Sequence, residues 1–147
     1  MNGSRRRLVL GAAALAISVL LSGGCGKGPE IGQVEGVVRV KGQPMPNALV
    51  QFLADPDRGT HAPTAAAETD AEGHYRLRYY DPKGDAPAEG AVAGWYRVIV
   101  FDLVPGQTPD GKQPPPPRLA ASYTSAETTS LQFEVKPGPQ TIDINVD

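Results

Sequence analysis

The chain has one cysteine in 147 residues, Cys25. A lone thiol cannot close an internal disulfide. With only His61 and His74 as histidines, it cannot complete a Cys/His zinc site either. Runs of basic residues are missing beyond Arg5, Arg6 and Arg7, so nucleic acid is not an expected partner. The longest uncharged apolar run, residues 8–21 (LVLGAAALAISVLL), falls short of the roughly 20 apolar residues that a spanning helix needs. No later stretch keeps a helical period. No residue pattern calls for a cofactor.

What is abundant is glycine (17) and proline (15), a composition that favours short strands and turns over long helices. At the N-terminus, three arginines, the apolar run and then Ser22, Gly23 and Gly24 have the layout of a secretory signal peptide, expected to form a helix over residues 1–24. Cleavage before Cys25 would expose its amine and thiol together. The segment LLSGGCGKG resembles the lipobox of bacterial lipoproteins, although Ser22 stands where that family usually has leucine. The resemblance implies lipidation of Cys25 and anchoring at a membrane surface without spanning it, in the cell envelope, facing the periplasm or attached to the outer membrane. Two or more acyl chains suffice for stable anchoring. Residues 25–32 read as a tether, of which GKGPEIG reaches about 24 Å at most. Without residues 1–24 the formal charge is 11 basic against 16 acidic side chains, or −5, because that segment holds three arginines and no acid.

From residue 33 a period of two begins. In QVEGVVRV, Val34, Gly36, Val38 and Val40 share one face, and Gln33, Glu35 and Arg39 the other. ALVQFL is a second strand with Val50 and Phe52 as core, and TAAAET a third. HYRLRYY puts Tyr75, Leu77 and Tyr79 inward and His74, Arg76 and Arg78 outward. WYRVIVF, LQFEV and TIDINV complete seven strands. Residues 70–73 (DAEG) are a tight hairpin connection, with Asp70 accepting from nearby backbone N–H groups and Gly73 supplying a positive φ. Residues 33–147 are therefore expected to form one all-β domain, a seven-stranded antiparallel β-sandwich.

The order EGVVRVKGQPMPNALVQF, TDAEGHYRL, GWYRVIV, VKPGPQTIDINV resembles the carboxypeptidase regulatory-like domain, a transthyretin-like (prealbumin-like) sandwich found in bacterial lipoproteins. Gly36, Gly42, Pro44, Ala48, Val50, Phe52, Thr69, Asp70, Gly73, Tyr75, Gly94 and Tyr96 are among the positions carrying it. It implies a fold and leaves the activity open. The hydrolases built on that fold carry paired histidines, an arginine and a Y-R-G-S terminus; this chain ends INVD. No catalysis is expected.

The expected role is a non-catalytic binding or structural module of the cell envelope. A carbohydrate- or peptide-binding surface and an accessory domain for a transporter or enzyme are the alternatives. Trp95, Tyr80 and Tyr123 are the candidate contacts for a glycan, peptide or envelope protein; Tyr79 is a fourth aromatic to place. Alternating strand directions put the loops after the second, fourth and sixth strands at one end. That makes Asp55, Asp57, Asp81 and Asp85 candidate calcium ligands. No EF-hand spacing is present and Arg58 and Lys83 interrupt the acids, so solvated loop charge is preferred. The long segment after Asp102, with prolines 114–117 in a stiff run, reads as a surface spacer pinned by Tyr123.

Overall fold

A computed structural model describes residues 28–84, 86–104 and 116–147. Cys25, the segment before it, Asp85 and the first half of the proline run lie outside the described residues. Among the described residues no helix is long and apolar enough to cross a membrane.

The described residues are all-β apart from two short 3-10 turns, with two sheets packed face to face. In order the strands are β1 (Ile31–Val40), β2 (Gln43–Pro44), β3 (Ala48–Ala54), β4 (Ala65–Glu68), β5 (His74–Arg76), β6 (Arg78–Tyr80), β7 (Pro87–Glu89), β8 (Ala91–Val92), β9 (Gly94–Asp102), β10 (Gln132–Val135), β11 (Gly138–Thr141) and β12 (Ile144–Val146). One sheet is built around β1, with β11 and β12 on one side and β2, β5 and β8 on the other. The second runs β10-β9-β3-β4-β6-β7, antiparallel throughout.

All seven expected runs fall on strands, but among the described residues the count rises to twelve because some break and some turns pair. HYRLRYY divides at Leu77: β5 pairs with β1, and β6 pairs with β4 in the other sheet. Leu77 is fully buried at the corner, and its N–H donates to the Val34 carbonyl across 2.9 Å. A strand that switches sheets closes that side of the sandwich. The expected all-antiparallel arrangement also needs correction. β11 and β12 run parallel to β1. Alternation along seven strands gives the first and last the same direction, and here the two lie side by side.

The alternating faces point as the sequence reading has them. Val34, Val38, Val50, Phe52, Leu77, Tyr96, Val98, Val100 and Ile144 are sealed in the core. Phe52 sits among Tyr96, Tyr75 and Phe133, with ring centroids 5.9, 6.4 and 6.4 Å away. Tyr75 and Tyr96 turn their hydroxyls outward to the carbonyls of Ile142 (2.6 Å) and Val92 (2.7 Å), so their rings fill the core without orphaning a polar atom. Burial pushes the Tyr96 phenol up to about 12. Burial, and then the charge of Asp143, raise Tyr75 as well.

The hairpin at residues 70–73 forms as expected. Asp70 Oδ1 accepts from the N–H groups of Glu72 (3.0 Å) and His74 (2.8 Å), and Gly73 has φ +78°. Just before it, buried Thr69 bridges two strand ends: its hydroxyl accepts from Ala48 N–H (2.8 Å) and donates to the Met45 carbonyl (2.7 Å). Far along the chain, Arg118 forks onto Asp102 and also donates to the Pro46 carbonyl (3.2 Å). That pair ties the returning chain to the end of β9 and holds the Asp102 carboxyl below its ordinary pKa. Tyr123 lies half-buried against the core.

Candidate functional site

A groove lies over β1 and β5, beside the corner at Leu77 where the chain crosses from one sheet to the other. β1 offers Gln33, Glu35 and Val37 to the outside; β5 offers His74 and Arg76. These are the polar rows that period two leaves on the solvent side. Glu35 and Arg76 stand opposite one another in the ladder and form an ion pair of 3.1 Å. They divide the feature into two lobes. The larger, about 850 Å³, reaches Glu68, Asp70, Arg78 and Asp143. The smaller, about 350 Å³, reaches Glu89, Gly90, Pro139 and Gln140. Both touch Glu35, Arg76 and Thr141, so they form one groove.

One wall of the groove is a deliberate break in the ladder. Between β11 and β12 the chain bulges, and the Asp143 side chain takes the place of a backbone carbonyl. Ile142 N–H donates to the Glu35 carbonyl (2.8 Å). Val37 N–H, next along β1, donates to Asp143 Oδ1 (3.0 Å). Arg39 Nη1 donates to Asp143 Oδ2 (3.1 Å). The hydrogen bond from Val37 holds the Asp143 carboxyl below the usual range, with Arg39 adding to the effect. Its ionised form is favoured in the fold, so the stabilisation is complete above an unfolded pKa of about 3.9 and is lost as pH falls through the lower folded value. Asp143→Asn is therefore expected to lie further below the wild type in unfolding free energy at pH 6 than at pH 2.5. Urea titrations at both pH values check this; a gap independent of pH would contradict it.

The candidates from the sequence are placed as follows. Trp95 is half-buried at the start of β9 and already carries a cation: the Arg58 guanidinium lies 4.1 Å from its ring centroid. Arg58 also donates to Gln132 Oε1 (3.1 Å). Tyr80 is 60% exposed and stands apart from Trp95, three strands away across the second sheet. Tyr79 belongs to the core. These aromatics are not brought together into a platform.

Nor are the three described aspartates gathered. Asp55 and Asp57 turn toward β9, where Arg97 Nη2 donates to Asp55 Oδ1 (3.3 Å) and Asp57 Oδ2 (2.7 Å). Hydrogen bonding to Asp55, above all, raises the pKa of Arg97. Asp81 follows β6, two strands away on the other side of β3, and its Oδ1 accepts from Lys83 N–H (2.9 Å). The strand directions do put both loops at one end, but Arg97 draws the first pair away. Asp85 lies outside the described residues.

Among the described residues, Asp70, Glu72 and His74 have ligand atoms within 4.8 Å of one another, all exposed. Asp70 Oδ1 is already engaged by two backbone N–H groups, so the cluster is a hairpin cap. His74 Nδ1 lies 3.6 Å from that same oxygen. His61 is exposed in the loop after β3.

The groove residues went unmarked in the sequence reading. The outward rows on β1 and β5 were legible. Their meeting with Glu68, Glu89, Gln140 and Asp143 depends on partners up to 106 residues apart, and no local signal announces it. Comparisons with protein-family models, curated proteins and solved structures found no match.

Proposed function

We propose that the chain is a non-catalytic recognition module of the cell envelope, anchored by lipid on Cys25, with a sandwich of the transthyretin-like, carboxypeptidase regulatory-like kind. The observation that carries recognition is the groove itself. Its central ionisable groups are held by one another and by backbone: Glu35 by Arg76, Asp143 by Val37 and Arg39, Asp70 by its hairpin. Such a surface presents fixed charges to a partner. The N-terminal basic block, apolar run and small residues before Cys25 support the anchor.

A peptide or envelope-protein ligand fits better than a glycan, since Trp95 has Arg58 against its ring and the exposed Tyr80 stands alone, three strands away. Service as an accessory domain beside an envelope transporter or enzyme would use the same groove.

Intact mass of the protein extracted from bacterial membranes by detergent tests the anchor. The expected species is residues 25–147 plus acyl chains. An unmodified chain starting elsewhere would overturn the lipoprotein reading and leave a secreted sandwich.

A further inference from the structure

We infer that the open edge of β10 takes an extended strand from a partner protein, added antiparallel to the second sheet. This surface is separate from the groove: it is the border of that sheet opposite β7.

Among the described strands β10 pairs with β9 alone. Val98 N–H donates to the Leu131 carbonyl (2.9 Å), and Asp55 N–H donates to the Trp95 carbonyl (2.9 Å) on the other side of β9. Alternation along the ladder therefore turns the backbone of Leu131, Phe133 and Val135 toward β9, and that of Gln132 and Glu134 away from it. Among the described residues nothing bonds those two outward N–H groups and two carbonyls. The two residues stand about 6.8 Å apart, the repeat that an extended polypeptide matches with its own donors and acceptors. The free edge stops at Lys136, whose N–H donates to Gln140 Oε1 (3.2 Å).

Other borders are blunted. β2, β7 and β11 carry Pro44, Pro87 and Pro139; proline lacks an N–H and protects an edge. β5, β8 and β12 have three residues or fewer. β10 has four residues and no proline.

Side chains set the partner's chemistry. On the inner face Leu131 and Phe133 are half-buried against the core and Val135 is sealed, so the incoming residues beside them must be apolar. On the outer face Gln132 Oε1 already accepts from Arg58 (3.1 Å). Glu134 pairs, among the described residues, only with Lys136 Nζ at 4.0 Å. A basic residue therefore belongs opposite Glu134 and an uncharged one opposite Gln132. A second copy of β10 does not supply this: the register that uses all four free groups sets Glu134 opposite Gln132 of the second copy.

The test uses the full ¹⁵N-labelled chain in detergent and the probe acetyl-Val-Lys-Val-Thr-Val-amide. Antiparallel pairing sets its lysine opposite Glu134 and its threonine opposite Gln132. The peptide should shift the amide signals of Gln132 and Glu134 and slow their hydrogen exchange. In that arrangement the lysine and threonine N–H groups face β10 and those of the valines face away. N-methylation of lysine and threonine should abolish binding, and N-methylation of the central valine should leave it intact. Gln132→Pro, which removes one outward donor and no ladder bond, should abolish it too, while Gln132→Ala keeps the N–H and should bind as the wild type does. Glu134→Gln should weaken binding about three-fold, as loss of one exposed pair does. Equal binding of the two methylated peptides would overturn the proposal, and loss with the methylated valine alone would overturn the antiparallel direction. Shifts confined to groove residues such as Arg76, no shift with the peptide, or a dimer of the chain that protects both N–H groups and excludes the peptide would overturn it as well.

Discussion

Gly36→Ala is expected to cost more than about 4 kcal/mol of stability, in the range that marks a specific structural failure. The glycine lies buried in the middle of β1. A Cβ built there would stand 1.9 Å from the Ile142 carbonyl oxygen, 2.7 Å from its carbon and 3.1 Å from the Tyr75 ring. The first two are backbone atoms, which cannot rotate aside. Relief requires β1 to part from the crossing at Ile142. That would break the bond from Ile142 N–H to the Glu35 carbonyl (2.8 Å) and the bond from the Tyr75 hydroxyl to the Ile142 carbonyl (2.6 Å). It would also pull Asp143 away from Val37 and deform the groove wall. Gly42→Ala is the control. Gly42 has φ +80° in the turn after β1, with no atom within 4 Å of the added Cβ. It should cost only about 1 kcal/mol, from the left-handed backbone. Urea unfolding of both variants checks the pair; equal costs would show that β1 and residue 142 do not pack this closely.

Phe52→Ala should cost about 3–5 kcal/mol, the usual loss for a core phenylalanine. Phe52 is fully buried on β3, and its ring meets rings from β5, β9 and β10. Removing it leaves a void that both sheets border and neither can close alone, since interiors are packed as densely as crystals. Tyr80→Ala should stay within about 0.5 kcal/mol, because that ring is 60% exposed at the end of β6. Denaturant midpoints for the two variants decide it. If Phe52→Ala were as mild as Tyr80→Ala, the aromatic cluster would not be the centre of the core.

The contrast between Phe52 and Tyr80 shows how much was legible. Alternation in ALVQFL and HYRLRYY placed Phe52, Tyr75, Leu77 and Tyr79 inward, because side chains on a strand must alternate and apolar ones leave water. The hairpin at residues 70–73 was legible because Asp70 and Gly73 act on neighbours within four residues. Trp95 was the opposite case. Its sequence neighbours say nothing of Arg58, which arrives from a loop 37 positions earlier and stacks on its ring. The calcium candidates went the same way: their common end of the sandwich followed from strand count, but Arg97 on β9 decided where Asp55 and Asp57 point.

By itself, then, the sequence determined an all-β domain, its inward and outward faces and its tight hairpin. Each rests on contacts between near neighbours or on a repeating period. Only the tertiary structure decided that the last strands lie parallel beside β1, that Leu77 turns a strand from one sheet to the other, and that Asp143 completes the ladder at Val37. These depend on which strands become neighbours. That choice is made by burying the whole core at once, and no single segment encodes it. The groove is a product of that choice, assembled from five parts of the chain that are unremarkable until they meet.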